Sequence, residues 1–201
     1  MSVVRNSRLV GMGFYQNQIV PHLVNVAMRN RQLAPYRERV IAQAQGRVLE
    51  IGVGSGVNLP FYTNRATEIL GLEPYPKLLK MASKKAAGIP SKLIEGSAES
   101  IPLEDASVDT VVTTWTLCTI PDVDAALAEM HRLLKQDGRL LFVEHGLSSD
   151  EKIRKWQNRL TPAWRRIAGG CHLDGRLPPL SRLQDSGFHE WRPAICPVRS
   201  R

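Results

Sequence analysis

Three glycines at alternate positions, flanked by two acids, form the stretch of this 201-residue chain that most directly predicts a ligand site. Gly52, Gly54 and Gly56 follow a short apolar run that contains the first acid, Glu50. Glycine lets the backbone turn with positive φ and lets a ligand approach main-chain N–H groups without meeting a Cβ. The stretch therefore predicts a strand that leads into a ligand-binding loop.

The residues around the glycines indicate which ligand this is. The spacing is G-x-G-x-G, whereas dinucleotide folds have G-x-G-x-x-G and hold a pyrophosphate at a helix N-terminus. Glu50 would repel a pyrophosphate but attract a cation such as an ammonium or a sulfonium. The second acid, Glu73, ends the next strand-like run, where a carboxylate can accept hydrogen bonds from both hydroxyls of a ribose. A ribose and a positive centre without a phosphate predict S-adenosylmethionine (SAM) as the cofactor.

An alternation of strand-like and helix-like segments must position these residues. After the glycine loop, strands are predicted over residues 68–73, 92–95, 108–114 and 138–144, with helices over 76–87 and 123–134. Two helices are predicted before the first strand, over residues 17–28 and 34–45. Strands separated by helices predict a parallel sheet that binds ligands outside the carboxyl ends of its strands.

The end of the chain is predicted to complete the sheet. A last helix is predicted over residues 180–186, and two antiparallel closing strands over 188–192 and 195–198. Pro193 and Pro197 should confine these strands to an edge, because proline cannot donate a ladder hydrogen bond.

Downstream of the glycine loop, three motifs follow in the order typical of class I SAM-dependent methyltransferases, which the chain resembles from about residue 47 to 146. The motifs cover residues 96–109, 111–115 and 129–142. The resemblance implies an α/β, Rossmann-like fold with a mostly parallel, seven-stranded sheet and helices on both faces. It also implies an N-terminal helical cap or lid over residues 1–46 and a SAM-binding domain over 47–201, within one structural domain.

A closer resemblance involves residues on the acceptor side. These are Asn58, Phe61-Tyr62, Leu117-Cys118, Glu144-His145, Trp156-Gln157, Pro162-x-Trp164 and Gly170-Cys171-x-Leu173. In these residues the chain is similar to the alkyl thiol S-methyltransferases of animal membranes and their bacterial relatives. Some of those relatives resemble phosphatidylethanolamine N-methyltransferases, so the acceptor is less closely defined than the cofactor.

The resemblance also adds to the predicted cofactor site. Ser97, Ala98 and Glu99 occupy the position that binds adenine in similar enzymes, with Ser97 in the place of the usual Asp. The full set of predicted cofactor-binding residues is Glu50, Gly52, Gly54, Gly56, Asn58, Glu73, Pro74, Ser97, Ala98, Glu99, Thr114 and Trp115.

Three residues are candidates for the chemistry of methyl transfer, a displacement in line with the leaving sulfur that requires alignment in a dry pocket. His145, at the end of the fifth strand, is the first candidate for a base that deprotonates a thiol, because imidazole titrates near physiological pH. Its alternative role is a hydrogen bond to a loop. His172 is the second candidate. Cys118 follows the fourth strand and fits the pocket wall better than a nucleophile.

A basic, tryptophan-bearing stretch over residues 149–168 breaks the alternation. Its apolar residues fall at helical spacing, and Lys and Arg occupy the other faces. Pro162 is predicted to kink or split this helix. An interfacial helix on an anionic membrane would have this pattern. An amphipathic helix packed on the sheet explains the same pattern and is the favoured interpretation.

Composition limits the possible partners. The net charge of +8 and the pI of about 9.8 predict attraction to anionic lipid, nucleic acid or acidic small molecules. Nucleic acid is disfavoured, because the basic residues are spread along the chain and no RNA-binding motif is recognisable. The three cysteines contain no C-x-x-C pair, so neither a zinc site nor any other metal is predicted. With no signal peptide and no long apolar run, we expect a cytoplasmic protein that is soluble or peripheral to the membrane.

Three functions are compatible with the sequence. The favoured one is SAM-dependent methylation of a small lipophilic acceptor, with a thiol sulfur as the first choice. The second is methylation of a phospholipid such as phosphatidylethanolamine, or of a quinone. The third is a SAM-binding or nucleic-acid-binding protein without turnover.

Overall fold

A parallel β-sheet forms the centre of the molecule. The computed structural model describes residues 19–86, 89–145, 150–167 and 191–196. The strands in this part of the chain are β1 (Gly46–Ile51), β2 (Ala66–Glu73), β3 (Ser91–Glu95), β4 (Val108–Thr114), β5 (Leu134–His145) and β6 (Trp191–Cys196). Their order is β3-β2-β1-β4-β5-β6, and all neighbouring pairs are parallel. The predicted α/β architecture is confirmed.

Five α-helices accompany the strands in the described residues. They are α1 (Val20–Met28), α2 (Ala34–Ile41), α3 (Pro76–Lys85), α4 (Val123–Leu133) and α5 (Glu151–Ile167). Successive side chains of a strand point to opposite faces of a sheet. Leu49 and Ile51 therefore belong to the core cluster that contains α4, whereas Val48 belongs to the one that contains Val40 and Ile41 of α2. The helices thus cover both faces, as predicted.

The strand order places the predicted loops together. The central strand β1 lies between β2 and β4, so the chain leaves it in opposite directions along the sheet. Ligands bind at such a switch point, outside the carboxyl ends of the strands. The loops that follow Ile51, Glu73 and Thr114 all begin at this edge.

The last strand differs from the prediction. Two antiparallel strands were expected, whereas β6 is a single strand that runs parallel to β5 and pairs Pro193 with Phe142. A parallel neighbour requires a long crossover connection, and the chain between β5 and β6, which includes α5, supplies that length. β6 lies at the sheet edge, where a proline costs no ladder bond on its open side. The described strands number six, and a seventh remains a prediction.

Helix α5 also differs from the prediction in one respect. It continues across Pro162 from Glu151 to Ile167 and is not split. A proline removes only one backbone donor, so the hydrogen bonds on either side of it can continue the helix. Among the helices that the structure describes, none has the length and hydropathy to cross a bilayer.

Candidate active site

The glycine loop is shaped by two glycines that pack closely and one that leaves space. Gly52 has a φ of +70°, and a Cβ there would lie 2.5 Å from the Thr116 side chain. Gly56 has the same φ, and a Cβ would lie 2.9 Å from Leu59. Gly54 has a φ of +55°, but the nearest atom to its Cβ position is 3.8 Å away. Gly54 is therefore the point at which a ligand can approach the backbone.

Glu73 closes the glycine loop from the end of β2. One of its carboxylate oxygens accepts a hydrogen bond from the Gly54 N–H at 2.9 Å, and the other accepts one from the Tyr75 N–H at 3.2 Å. Burial raises the pKa of Glu73 to about 7, although both N–H groups act to lower it. Each oxygen keeps a second lone pair, so the carboxylate can still accept hydrogen bonds from ribose hydroxyls.

Glu50 belongs to a buried polar network beneath the loop. Its two oxygens accept hydrogen bonds from Asn58 Nδ2 at 2.7 Å and from the Tyr62 hydroxyl at 2.8 Å. Asn58 Nδ2 also donates to Thr114 Oγ1 at 2.9 Å. Burial raises the pKa of Glu50 to about 7, while Tyr62, Asn58 and Arg37 act to lower it. The network brings three predicted cofactor residues together, Glu50, Asn58 and Thr114.

Arg37 of α2 reaches this network from outside the predicted site. Its Nε donates to Asn58 Oδ1 at 2.8 Å, and its Cζ lies 4.7 Å from the centroid of the Trp115 ring. Trp115 has a φ of +51°, a strained backbone of the kind that occurs at functional sites. Arg37 is buried, yet its Nη2 has no hydrogen-bond partner. A buried guanidinium donor of this kind can bind a carboxylate.

Glu144 positions the loop after β4. Its Oε1 accepts hydrogen bonds from the N–H groups of Thr116 at 2.8 Å and of Leu117 at 3.0 Å. These bonds hold the short 3₁₀ turn Leu117–Thr119, in which Leu117 and Cys118 are buried. The Cys118 sulfur lies 3.9 Å from the Trp115 carbonyl oxygen. The turn follows β4 at the carboxyl edge of the sheet, where the acceptor pocket is predicted, and Leu117 packs into the core cluster that contains Leu49.

The predicted adenine-binding residues are held mainly by one another. Glu99 accepts hydrogen bonds from the Ser97 hydroxyl and, at 3.4 Å, from the Asp122 N–H. Ala98 is buried and belongs to the same core cluster as Leu49. An adenine contact by Glu99 would have to share its carboxylate with these donors, so this assignment remains a prediction.

The predicted bases are only partly placed by the structure. His145 is the last residue of β5, at the edge where the other loops begin, but its side chain lies outside the described part. His172 lies outside the described residues altogether. In the parts of the chain that are described, no group of three or more His, Cys, Asp or Glu side chains could hold a metal ion.

Sequence reasoning missed the roles of three residues. Arg37 lies in a helix that was predicted only as a cap, and no local pattern distinguishes it from other arginines. Tyr62 and Glu144 were noted only as part of the resemblance. A signal was present for Glu144, because it is an acid near the end of a strand, as Glu50 and Glu73 are.

The site fits SAM better than a dinucleotide. Gly54 leaves space beside the backbone, Glu73 can accept from a ribose, and the unpartnered Nη2 of Arg37 can donate to an amino-acid carboxylate. A pyrophosphate would instead lie close to two buried acids, Glu50 and Glu73, and Coulomb repulsion would oppose it.

Comparison with known proteins agrees with this geometry. A family model described as a methyltransferase domain matches residues 49–142. The rat thiol S-methyltransferase TMT1B is 33% identical over 154 residues, which cover 73% of this chain and 63% of the relative. The phosphatidylethanolamine N-methyltransferase of Cereibacter sphaeroides is 32% identical over 104 residues, which cover 50% of this chain and 51% of the relative. The chain thus spans less than two thirds of the length of these curated relatives.

A solved structure supports the fold as well. The crystal structure of the YcgJ protein from Bacillus subtilis superposes with a TM-score of 0.61 at 28% identity, covering 77% of this chain and 64% of that one. With the family match and the strand order, this confirms the Rossmann-like fold and SAM as the methyl donor. The chain belongs to the class I SAM-dependent methyltransferases.

Proposed function

We propose that this chain transfers the methyl group of SAM to a small lipophilic acceptor, and that the acceptor atom is a thiol sulfur. The observation that carries this proposal is the similarity to the rat thiol S-methyltransferase TMT1B, at 33% identity over 73% of this chain. Cys118 in the turn after β4 would add an apolar side chain to the acceptor pocket.

The cofactor would be held by residues of four elements. Glu73 would accept hydrogen bonds from the ribose hydroxyls, and the loop at Gly54 would pass beside the ligand. Arg37 Nη2 would bind the carboxylate of the amino-acid moiety. Ser97, Ala98 and Glu99 would lie at the adenine. Bound SAM supplies an electrophilic methyl group on a sulfonium.

On the acceptor side, the protein has to orient a thiol and exclude water. A bond forms between the acceptor sulfur and the methyl carbon as the bond from that carbon to the sulfonium breaks, and the thiol proton leaves to a base. We assign that base to His145 and, as second choice, to His172. Cys118 and Trp115 would form the pocket wall, and Glu144 would keep that wall in place through its bonds to the turn.

The direct test is turnover by the purified protein. Incubation with SAM and a simple alkyl thiol should yield the methyl thioether and S-adenosylhomocysteine, both measured by mass spectrometry. Inactivity with thiols together with methylation of a phospholipid amine would contradict the thiol proposal. Binding of S-adenosylhomocysteine without turnover of thiols, amines, phenols or lipids would instead support a non-catalytic SAM-binding protein.

The assignment of the base has its own test. His145→Gln should lower kcat at neutral pH and recover at alkaline pH, where the thiol ionises without help. Cys118→Ala serves as the comparison, because a wall residue should alter KM for longer alkyl thiols and leave the pH profile of kcat unchanged. A His145→Gln profile that is parallel to the wild-type profile would show that the histidine is not the base.

Phosphatidylethanolamine or a quinone is the second candidate acceptor. It is supported by the similarity to the phosphatidylethanolamine N-methyltransferase and by α5, whose Trp156 and Leu160 are exposed beside basic residues. Through α5 a cytoplasmic protein could contact the membrane peripherally and collect a lipophilic acceptor. Nucleic acid remains disfavoured as a partner, and no metal is proposed.

The division into a cap and a catalytic domain is also a proposal. Two contacts between the cap over residues 1–46 and the cofactor site support it, the Asn25–Ser55 hydrogen bond and the Arg37–Asn58 hydrogen bond.

A further inference from the structure

The Lys and Arg residues are spread along the chain, but its net positive charge arises in two segments that lack acids. Residues 1–37 contain five arginines and residues 152–173 contain six lysines and arginines, and neither segment contains an acid. The rest of the chain has 16 basic and 19 acidic residues and is therefore slightly acidic. The entire excess of +8 comes from these two segments, which we call the basic segments.

The exposed apolar surface coincides with the same segments. In the described part of the chain, five large hydrophobic side chains are exposed. They are Ile19 (41%), Leu23 (46%), Val26 (71%), Trp156 (60%) and Leu160 (48%). All five lie in the basic segments, although these contain a minority of the described residues. Isolated exposed hydrophobic residues are ordinary on protein surfaces, but the restriction of all five to segments without acids is not.

The helical spacing gathers these side chains into stripes. Leu23 and Val26 are three positions apart along α1 and share a face, and Ile19, which directly precedes the helix, is four positions before Leu23; Val20 on another face is buried. Trp156 and Leu160 share a face of α5, on which Lys152 lies one turn before Trp156. Helix α1 contains no Lys or Arg, but the exposed Arg29 and Arg31 follow it directly, whereas α5 itself carries exposed cations.

Both stripes belong to helices at the carboxyl edge of the sheet. In α1, Asn25 accepts a hydrogen bond from the Ser55 hydroxyl of the glycine loop at 2.6 Å. Helix α5 begins six positions after the carboxyl end of β5. The exposed stripes are therefore attached to the part of the molecule that contains the candidate active site.

We propose that α1 and α5 together form a docking surface for an anionic lipid bilayer. The two apolar stripes would enter the headgroup region, and the exposed cations beside them, Arg29, Arg31, Lys152, Arg154 and Arg159, would face the phosphates. This proposal extends the membrane contact proposed above for α5. It rests on the proposed function for the idea that a lipophilic acceptor enters the site from the membrane. Lipid fits better than nucleic acid, because phosphate contacts require only the cations and would leave five apolar side chains in water.

The test is partition of the full chain into vesicles of phosphatidylglycerol and phosphatidylcholine, measured by flotation at low salt, with pure phosphatidylcholine for comparison. Wild-type protein should float with the anionic vesicles and lose this binding as salt rises. Val26→Glu on α1 and Trp156→Glu on α5 should each reduce partition by about tenfold, since each removes apolar contact and adds a repelled charge. Because both positions are exposed, we expect both variants to fold, which circular dichroism checks.

Thr67→Glu is the matched control. Thr67 is exposed near the amino end of β2, and the substitution changes the net charge by the same amount at the opposite edge of the sheet. It should partition as the wild type does. If all three variants lose the same amount of vesicle binding, net charge alone explains that binding and the proposal is wrong. If Val26→Glu partitions as the wild type does, α1 is not part of the membrane-binding surface, and the proposal of a surface formed by both helices is wrong.

Two other occupants give different results. A dimer that Val26→Glu dissociates, without vesicle binding by the wild type, would assign the stripe to a second copy of the chain. Tighter binding to single-stranded RNA than to anionic vesicles would assign the surface to nucleic acid. Either result overturns the lipid proposal. Turnover of a water-soluble thiol by the wild type without vesicles tests the methyltransferase separately, so the two failures are distinguishable.

Discussion

At the scale of single residues, the candidate site depends on buried polar groups whose hydrogen bonds are incomplete or costly. Glu50 and Glu73 are both buried, and burial raises the pKa of each to about 7. Arg37 has one buried donor without a partner. Such groups destabilise the protein alone and are stabilised when a ligand supplies the missing hydrogen bonds.

Glu73 should make cofactor binding depend on pH. Ribose hydroxyls donate to a carboxylate, so the ligand favours the charged form, which predominates only above a pKa of about 7. Affinity for S-adenosylhomocysteine should therefore rise as pH increases through 7, with proton release on binding below that value. Glu73→Gln should flatten this dependence and weaken binding by about 1.5 to 3 kcal/mol. Calorimetry in buffers of different ionisation enthalpy measures both quantities, and an unchanged affinity in the variant would exclude the ribose contact.

Arg37 should recognise the carboxylate of the cofactor's amino-acid moiety. Arg37→Met keeps an apolar side chain near Trp115 but removes the donor, so S-adenosylhomocysteine should bind on the order of tenfold more weakly or worse. Methylthioadenosine has the same adenosine without the carboxylate and serves as the control ligand. Its affinity should change little. An equal loss for both ligands would mean that Arg37 only supports the Asn58 network.

At the scale of elements, the strands determine where the acids lie and the helices determine what covers them. Glu50, Glu73 and Glu144 are near the ends of parallel strands, so they meet at one edge of the sheet. The cap helices are linked to the loop after β1 at the same edge, because Asn25 of α1 accepts a hydrogen bond from Ser55 and Arg37 of α2 donates one to Asn58. We therefore propose that the N-terminal helices contribute to the cofactor site in addition to covering the sheet.

The link between α1 and the glycine loop is testable by hydrogen exchange. Ser55→Ala removes the donor to Asn25 from a buried position, and a net loss of about 1 kcal/mol should make the amides of α1 exchange about fivefold faster. Ser83→Ala is the control, because the Ser83 hydroxyl donates only to the Lys80 carbonyl of its own helix. If the two variants exchange equally in α1, the bond does not hold the helix.

At the scale of the whole molecule, the sequence was sufficient where the information is local. The glycine loop, Glu73 and the alternation of elements come from short patterns, and the structure has them where they were predicted. Arg37 and Asn58 are 21 positions apart, and Glu144 and Thr116 are 28 apart. No local pattern reveals such pairs, because tertiary packing alone brings them together. The direction of β6 was wrong for the same reason, since it depends on the path of the long connection before it.

The two raised carboxyl pKa values also predict how the stability of the whole fold depends on pH. An unfolded glutamic acid titrates near 4.5, so between pH 4.5 and 7 the folded chain binds more protons at Glu50 and Glu73 than the unfolded chain does. Stability should be fully present below this window and fall as pH rises through it, by on the order of a few kcal/mol in total. The hydrogen bond from Arg132 lowers the pKa of Glu129, so that carboxyl changes stability only at more acidic pH.

Urea unfolding at intervals across the window should show the decline in the free energy of unfolding, and Glu50→Gln should make that decline smaller. S-adenosylhomocysteine should raise stability most at the alkaline end, where it binds a charged Glu73. If the free energy of unfolding without ligand instead rises between pH 5 and 7, these carboxyls are charged and solvated in the folded state.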